Sequence, residues 1–520
     1  MLVDFREVAG TQLQADACVI GAGPAGIAIA RELAEASRSI VVLESGGLDF
    51  DPSAQDLCRG DNSRGDFPLH TSRFRLVGGT TYIWGGWCAP LDDIDFERRA
   101  WVPYSGWPIT KRDLLPYYHR AQPLCELGPY RYELAEWPSL SGKALRLDPD
   151  KLGHRLWHLS PPTRFGQVYR EELRRATNIR VVLRATATEL VTDENAAAVS
   201  EVRVAGLGGA RAAVRARSYI LACGGIENAR LMLASNRVEA PGLGNRHDIV
   251  GRFFMEHPHP DAGGVFIPGD IERFRPYFDR GGAKSARVVL GFGPSRQAQE
   301  RLRILNSSVT VGGALHSEPS EGWDSLVKLA RAAEEGYWPA SSATHAFNVL
   351  RNLDDVFREG YLRATDAPIR GFTFTARTET APNPANRVRL ASERDALGQN
   401  RASLTWSLGA RERVTVEKTM MLLAAELGRL GIGRVRLNEL LLQNDDRWSG
   451  NLSWFGHHMG TTRMSDDPKL GVVDANCRVH GVANLYVAGS SVFPTAGFAN
   501  PTLTILALAL RLADHIRPTI

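Results

Sequence analysis

Two stretches near the end of the chain hold residue types suited to taking hydrogen from an alcohol. One is HHMGTTRMS, with His457 and His458; the other is GFANPTLT, with Asn500. Oxidising a carbinol removes the hydroxyl proton and a hydride from the same carbon. The proton needs a base whose pKa lies near working pH, and neutral imidazole meets that requirement. An asparagine amide cannot titrate, but it can hydrogen-bond the same oxygen and fix its orientation. The hydride needs an acceptor that side chains do not supply, and the opposite end of the chain carries a motif for binding one.

That motif is ADACVIGAGPAGIAIARELAEASRSIVVLES. Its short apolar run over 16–22 reads as a buried parallel strand. Gly21, Gly23 and Gly26 keep the GxGxxG spacing. The first permits a tight turn, the second lets the backbone approach a pyrophosphate, and the third lets the helix lie close to the strand. Pro24 falls in the first helical turn, where its missing N–H is not needed. The helix start then offers free N–H groups and a partial positive charge to the phosphates. The next strand, SIVVLES, ends at Glu44, placed to accept hydrogen bonds from the adenosine ribose. An acid there repels the 2′-phosphate of NADP and leaves NAD and FAD open.

A chain of 520 residues predicts more than one domain. Its 43% apolar and 23% charged residues are ordinary for a soluble globular protein. A net charge of +4, dispersed without a basic run, argues against nucleic acid as a partner. No stretch is apolar and long enough to cross a bilayer. The first residues lack the basic start and apolar segment of a secretory signal. None of the six cysteines forms a CxxC pair, which predicts a reducing, cytoplasmic setting without an iron–sulfur cluster. Export alongside a signal-bearing partner is the alternative. His257 and His259, in EHPHP, are metal-ligand types without a third ligand nearby, so no metal is predicted.

Between the two ends, RLVGGTTYIWGGWCAPLDDIDF marks backbone that passes close to something flat or charged. Residues 104–150 read as irregular. Residues 178–221 alternate as strands do, and GGIENARLMLAS opens a helix. From about 260 come strands such as SARVVLGFG and RILNSSVTVGG, then two amphipathic helical stretches within 320–362, read as surface helices packed on the sheet, with a partner site as the alternative. The segment from GFTFTARTET to RASLTWSL reads as antiparallel strands joined by turns. The first architecture returns at about 455.

GAGPAG with Glu44, GGTTYIWGG at 78–86, GRFFMEHP at 251–258, NPANRVRL with Asp395, and then GTTRM and GFANPTLT follow one family's order. Over nearly its whole length the chain resembles the glucose–methanol–choline (GMC) oxidoreductases, which use FAD. Its C-terminal block is similar to the branch of pyranose oxidases, glycoside 3-oxidases and sugar dehydrogenases. The resemblance implies an α/β fold, α+β overall. A Rossmann-like FAD domain would be assembled from 1–103, 156–258 and 455–520. An irregular lid or connection would occupy 104–155. A substrate domain of antiparallel sheet and helices would occupy 259–454.

The resemblance further implies how FAD is held. Gly21, Gly23, Pro24, Ala25, Gly26 and Glu44 would bind its nucleotide half. Gly79 and Thr80 would lie near the phosphates, and Trp84, Gly85 and Gly86 near the ring. Gly489 stands where many members carry Asp, so the ribityl contacts fall to backbone there or to Ser490. Pro501 and Thr502 begin a last helix whose start would face the pyrimidine edge and stabilise negative charge on it. Ile83 occupies the place of the histidine that links FAD covalently in some pyranose oxidases, which implies non-covalent FAD. The H-x-x-G-T pattern makes His457 the base and Asn500 its partner. Otherwise His457 is an ordinary buried histidine and Asn500 a helix N-cap.

The function so implied is FAD-dependent oxidation of a CH–OH group of a sugar, glycoside or amino sugar, with oxygen, a quinone or a protein as final acceptor. Two other readings share these motifs: a redox-silent lyase of the hydroxynitrile lyase kind, and an NAD-dependent dehydrogenase.

Overall fold

The apolar strand before the glycine turn, Gln12–Ile20, lies inside a parallel sheet. The computed structural model describes residues 1–35, 38–64, 67–278, 287–316, 321–335, 342–365, 368–442, 448 and 452–520. On one side of Gln12–Ile20 lie Ile40–Glu44, Ile179–Leu183 and Leu2–Asp4 in turn. On the other lies Arg211–Leu221, whose last residues pair in parallel with Leu485–Val487. That last pairing carries the C-terminal block to the glycine turn. Val199–Ala205 and Thr186–Thr192 extend the sheet antiparallel.

The helix Thr502–Ile516 packs on Pro24–Glu35 and on Lys111–Leu124. Its apolar residues are buried from Leu503 to Ile516, as expected for a helix apolar on most of its faces. Each leucine it buries contributes roughly 1.5–3 kcal/mol. The two chain ends are thus held as one body.

A second sheet is antiparallel throughout. Its order is Arg434–Leu437, His259–Phe266, Gly371–Thr378, Ser307–Leu315, Arg287–Pro294, Leu152–Leu159 and Trp87–Cys88. Side chains alternate between its faces. Phe292, Val309, Phe372 and Phe374 form a core with Val416, Met420, Leu423 and Leu427 of the helix Ala410–Arg429. Val289, Thr310, Thr375 and Arg377 face the other way, into a cavity.

The architecture is α/β, α+β overall, as expected. Four details differ from the sequence reading. The boundary at 155/156 cuts through Leu152–Leu159, which pairs with Arg287–Pro294 along its whole length. Trp87–Cys88, just past the glycine loop, pairs with its end. The antiparallel sheet therefore recruits chain from well before 259, which gives its edge strand a hydrogen-bonding neighbour. Secondly, 104–155 is not irregular throughout: Lys111–Leu124 is a helix started by a Thr110–Asp113 capping box. Pro116 and Pro123, which read as breakers, obscure it. Thirdly, Arg387–Arg394 and Asn400–Thr405 form a hairpin, but it joins Gly60–Asn62 in a separate small sheet. Lastly, three helices stand where two stretches were read: Glu321–Glu335, Ser342–Arg351 and Leu353–Ala364. Among the described residues no helix is long and apolar enough to cross a membrane.

Candidate active site

A cavity of about 1240 Å³ runs from the glycine turn to the free face of the antiparallel sheet. Pockets for single drug-sized ligands span ~300–1,000 Å³, so this one has room for a dinucleotide and a second molecule. Gly21, Gly23, Pro24, Ala25 and Glu44 line its nucleotide end, and Gly26 packs against Gly21 instead. A Cβ on Gly21 (φ 107°) would stand 2.6 Å from the Ala222 carbonyl oxygen, and one on Gly26 would stand 1.9 Å from that of Gly21. Those two glycines are required by the fold itself. Gly23 differs: a Cβ there would meet no protein atom within 4 Å, so the space above it is open to a ligand.

Glu44 is buried and already serves the turn. Its carboxylate accepts from the amides of Ala22 (2.9 Å) and Gly46 (2.8 Å). Burial raises its pKa, and those amides oppose the rise. A carboxylate has about four acceptor positions, so capacity for a ribose remains. Nearby, Glu227 is held by Arg73 (2.9 Å), Arg75 (2.6 Å) and Arg230 (3.2 Å), and Arg230 also meets Asp395 (2.6 Å).

Gly79, Thr80, Trp84, Gly85 and Gly86 line the middle of the cavity, as do Ile83, Gly489 and Ser490. Trp84 Nε1 donates to the Thr163 carbonyl at 2.9 Å. The Ser490 hydroxyl donates to the His458 carbonyl at 2.6 Å, which spends its proton inside the protein. Asn500, Pro501, Thr502 and Ile505 bring the start of the last helix to the same space. Pro501 is its N-cap residue and no side chain caps it, so the helix start keeps free N–H groups and partial positive charge. Asn500 does not act as a cap; its side chain turns to Arg377 and His457.

His457 and Asn500 come together in the cavity, Asn500 Nδ2 lying 3.5 Å from His457 Nε2. Behind them runs a chain of imidazoles whose protons can be assigned from their partners. His257 Nε2 is 2.8 Å from the Gly497 carbonyl oxygen, which can only accept. That nitrogen therefore carries the proton of His257. Burial lowers the pKa of His257 to about 3, so the ring is neutral and its Nδ1 is a bare acceptor. His457 Nδ1, 2.9 Å away, must donate to it. The lone pair of His457 is thereby left on Nε2, on the side of Asn500. Burial holds the pKa of His457 well below the usual imidazole range, and His257, Arg377 and His458 add to this.

Glu256 steadies the pair from beneath. Its Oε1 accepts from the backbone amides of His457 (2.8 Å) and His257 (2.9 Å). Burial pushes its pKa up to about 8. His458 is placed differently from its neighbour. Its ring packs against Phe67 and Phe254, with centroids 5.7 and 5.8 Å away. Asn500 is oriented in turn by Arg377, whose Nη1 donates to Oδ1 at 2.8 Å. Nδ2 of the amide is then the group that faces His457, so Asn500 meets a ligand as a donor.

Sequence reading missed Arg377 and Glu256 and assigned His257 no part in the site. The alternation Phe372, Phe374, Ala376 against Thr373, Thr375, Arg377 was a usable signal for Arg377. Nothing local marks His257, because its partner lies far along the chain. Cavity size, the open space at Gly23, the acid at 44 and the uncapped helix start together fit a bound FAD.

Comparison with known proteins agrees with this. A family model described as FAD dependent oxidoreductase matches residues 16–246, and one described as GMC oxidoreductase matches 382–509. The chain is 26% identical over 305 residues to the fructose dehydrogenase large subunit of Gluconobacter japonicus. That alignment covers 58% of this chain and 47% of the relative, about half its length. It is 24% identical over 566 residues to 6'''-hydroxyparomomycin C oxidase of Streptomyces lividus, covering 96% of this chain and 92% of that protein. Among solved structures, pyridoxine 4-oxidase from Mesorbium loti superposes with a TM-score of 0.58 at 16% identity, covering 96% of this chain and 98% of that one, which speaks for a shared fold. The two models cover the glycine turn and the C-terminal block that build the cavity, and the chain is an FAD-dependent oxidoreductase of the GMC type.

Proposed function

We propose that this enzyme oxidises a CH–OH group of a sugar, glycoside or amino sugar to the carbonyl, using non-covalently bound FAD. The observation that carries the reading is the His457 Nε2 lone pair lying beside the Asn500 amide at the cavity wall, 3.5 Å from its Nδ2. When bound, FAD supplies the hydride acceptor at its N5. A carbinol oxygen in the cavity within hydrogen-bond reach of both side chains would accept from Asn500 Nδ2 and pass its proton to His457 Nε2. A positioned base of this kind contributes about 10²–10⁴-fold. The residues expected at the nucleotide, phosphate and ring contacts all border the same cavity except Gly26. The uncapped start of Thr502–Ile516 favours nearby negative charge by ~0.3–1 kcal/mol, more when partly buried. Ile83 offers no nucleophile for a covalent link.

The sugar class rests on two supports. Thr310, Thr375, His259, Lys328 and His345 place polar groups among the apolar side chains of the substrate arm, and those groups suit the hydroxyls of a sugar. Two relatives are named for a sugar and an aminoglycoside, fructose and 6'''-hydroxyparomomycin C. The six cysteines are unpaired, in keeping with a reducing, cytoplasmic compartment.

The test is anaerobic addition of a panel of sugars, glycosides and amino sugars to the FAD-loaded protein. Bleaching of the yellow flavin band by one of them supports the reading. Admission of air then separates an oxidase from an enzyme that passes electrons to a quinone or protein. Turnover of a cyanohydrin without bleaching would support the lyase instead. A protein that purifies colourless and binds NAD would support the nicotinamide reading.

A further inference from the structure

Arg377 is a buried cation without a counter-ion. It is 9% exposed and lines the cavity. Its Nε donates to His259 Nε2 at 3.1 Å and its Nη1 to Asn500 Oδ1 at 2.8 Å, both neutral acceptors. The Trp157 ring lies 5.8 Å from the guanidinium carbon. No carboxylate among the described residues pairs with it, and Nη2 donates no hydrogen bond to the protein there. Charges removed from water are ordinarily paired, because an isolated one costs several kcal/mol.

The acids that could have paired with Arg377 are committed elsewhere. Glu379, two residues on, is bound to Arg99 at 2.7 Å. Glu256 points Oε1 at the backbone of His257 and His457. The acids that border the cavity are Glu44, Glu227 and Asp395. All three belong to the nucleotide end, tied to the glycine turn or to Arg73, Arg75 and Arg230. The charged residues that line the substrate arm are Arg377 and Lys328. Lys328 is offset by Asp261 at 3.8 Å, which leaves Arg377 as the cation there that no carboxylate balances. Proton transfer to His457 would add a second positive charge beside Arg377, and an anion held there would offset it.

We propose that the substrate carries a carboxylate close to the carbinol, as in a sugar acid, and that Arg377 is the counter-ion that receives it. This rests on the alcohol-oxidising reading and narrows its substrate class. A carboxylate oxygen would accept from Nη2 while Nη1 keeps Asn500 in place, so anion binding and carbinol orientation depend on one side chain. A neutral sugar of the same ring would leave the guanidinium unpaired and forfeit that contact.

The test uses FAD-loaded wild type, Arg377→Gln, Arg377→Lys and Thr375→Asp. The last adds an internal carboxylate two residues along the same strand face. Acetate is titrated first, followed by the flavin spectrum and by thermal unfolding. D-glucuronate and D-glucose are then compared as anaerobic reductants. Wild type should bind acetate saturably and favour glucuronate over glucose. Arg377→Gln should weaken acetate and glucuronate binding by roughly 30-fold or more, as for loss of one partner of a buried charge pair. Arg377→Lys should keep part of the binding, and Thr375→Asp should abolish acetate binding in a folded protein. Equal use of glucose and glucuronate by wild type, with acetate bound equally by all four proteins, would overturn the proposal. Failure of every alcohol to bleach the flavin would sink the oxidation reading; an Arg377-dependent acetate site would still stand in that case.

Discussion

Replacing His257 tests the tautomer assignment behind the proposed base. In His257→Leu the Nδ1–H of His457 loses its acceptor, now 2.9 Å away. A buried donor left unsatisfied costs about 1–3 kcal/mol. His457 can escape that cost by moving its proton to Nε2, which removes the lone pair from the side of Asn500. If that cost is what holds the reactive tautomer, its population and the rate of flavin reduction fall about 5- to 150-fold. His257→Asn offers a carbonyl oxygen near the former position of Nδ1 and should recover much of the loss. The assay is anaerobic stopped-flow reduction at saturating substrate, with FAD content measured on the same samples. A His257→Leu protein that binds FAD and reduces it at the wild-type rate would refute the assignment. So would His257→Asn reacting no faster than His257→Leu.

Three further outcomes are expected. Gly23→Ala adds a Cβ that meets no protein atom within 4 Å, so apoprotein stability should stay within ~0.5 kcal/mol of wild type while FAD affinity drops; equilibrium dialysis and thermal unfolding of the apoprotein check this. Asn500→Ala should slow flavin reduction by about 10-fold or more, through lost orientation of the substrate oxygen, with FAD retained in its absorbance spectrum. Glu256→Gln concerns pH. The carboxyl of Glu256, raised by burial from 4.5 to about 8, keeps its proton in the folded state where the unfolded chain has lost it, so wild-type stability falls as pH climbs from about 4.5 to about 8. The glutamine variant keeps an acceptor and does not titrate, so its stability relative to wild type should rise across that window by up to ~1.4 kcal/mol per pH unit, and denaturant unfolding at a series of pH values would contradict this if the difference stayed flat.

Much of the nucleotide end was legible because its requirements are local. Gly21 and Gly26 answer steric contacts within one turn and one strand crossing, and Ile40–Glu44 is a continuous apolar strand. The last helix was legible for the same reason, since an apolar run from Ile505 to Leu510 forms its middle. What failed depended on distant partners. Leu152–Leu159 reads as a strand only once Arg287–Pro294 is beside it, and two prolines masked the Thr110 capping box. The neighbourhood of His457 is likewise non-local. Glu256 and His257 reach it from one segment, and Arg377 reaches Asn500 from another. His257 and His259 in sequence suggest a metal pair or inert core residues. In the structure one hydrogen-bonds to His457 and the other receives Arg377.

If His457 takes the hydroxyl proton during oxidation, loss of its imidazole must slow flavin reduction, and single turnover of His457→Ala reads that step alone. The variant and wild type are loaded with FAD, freed of oxygen and mixed with the sugar that bleaches the wild type. The expected result is equal FAD content, an unchanged oxidised spectrum and flavin reduction slowed by about 10²–10⁴-fold. Reduction at close to the wild-type rate in a variant that holds its FAD would contradict it.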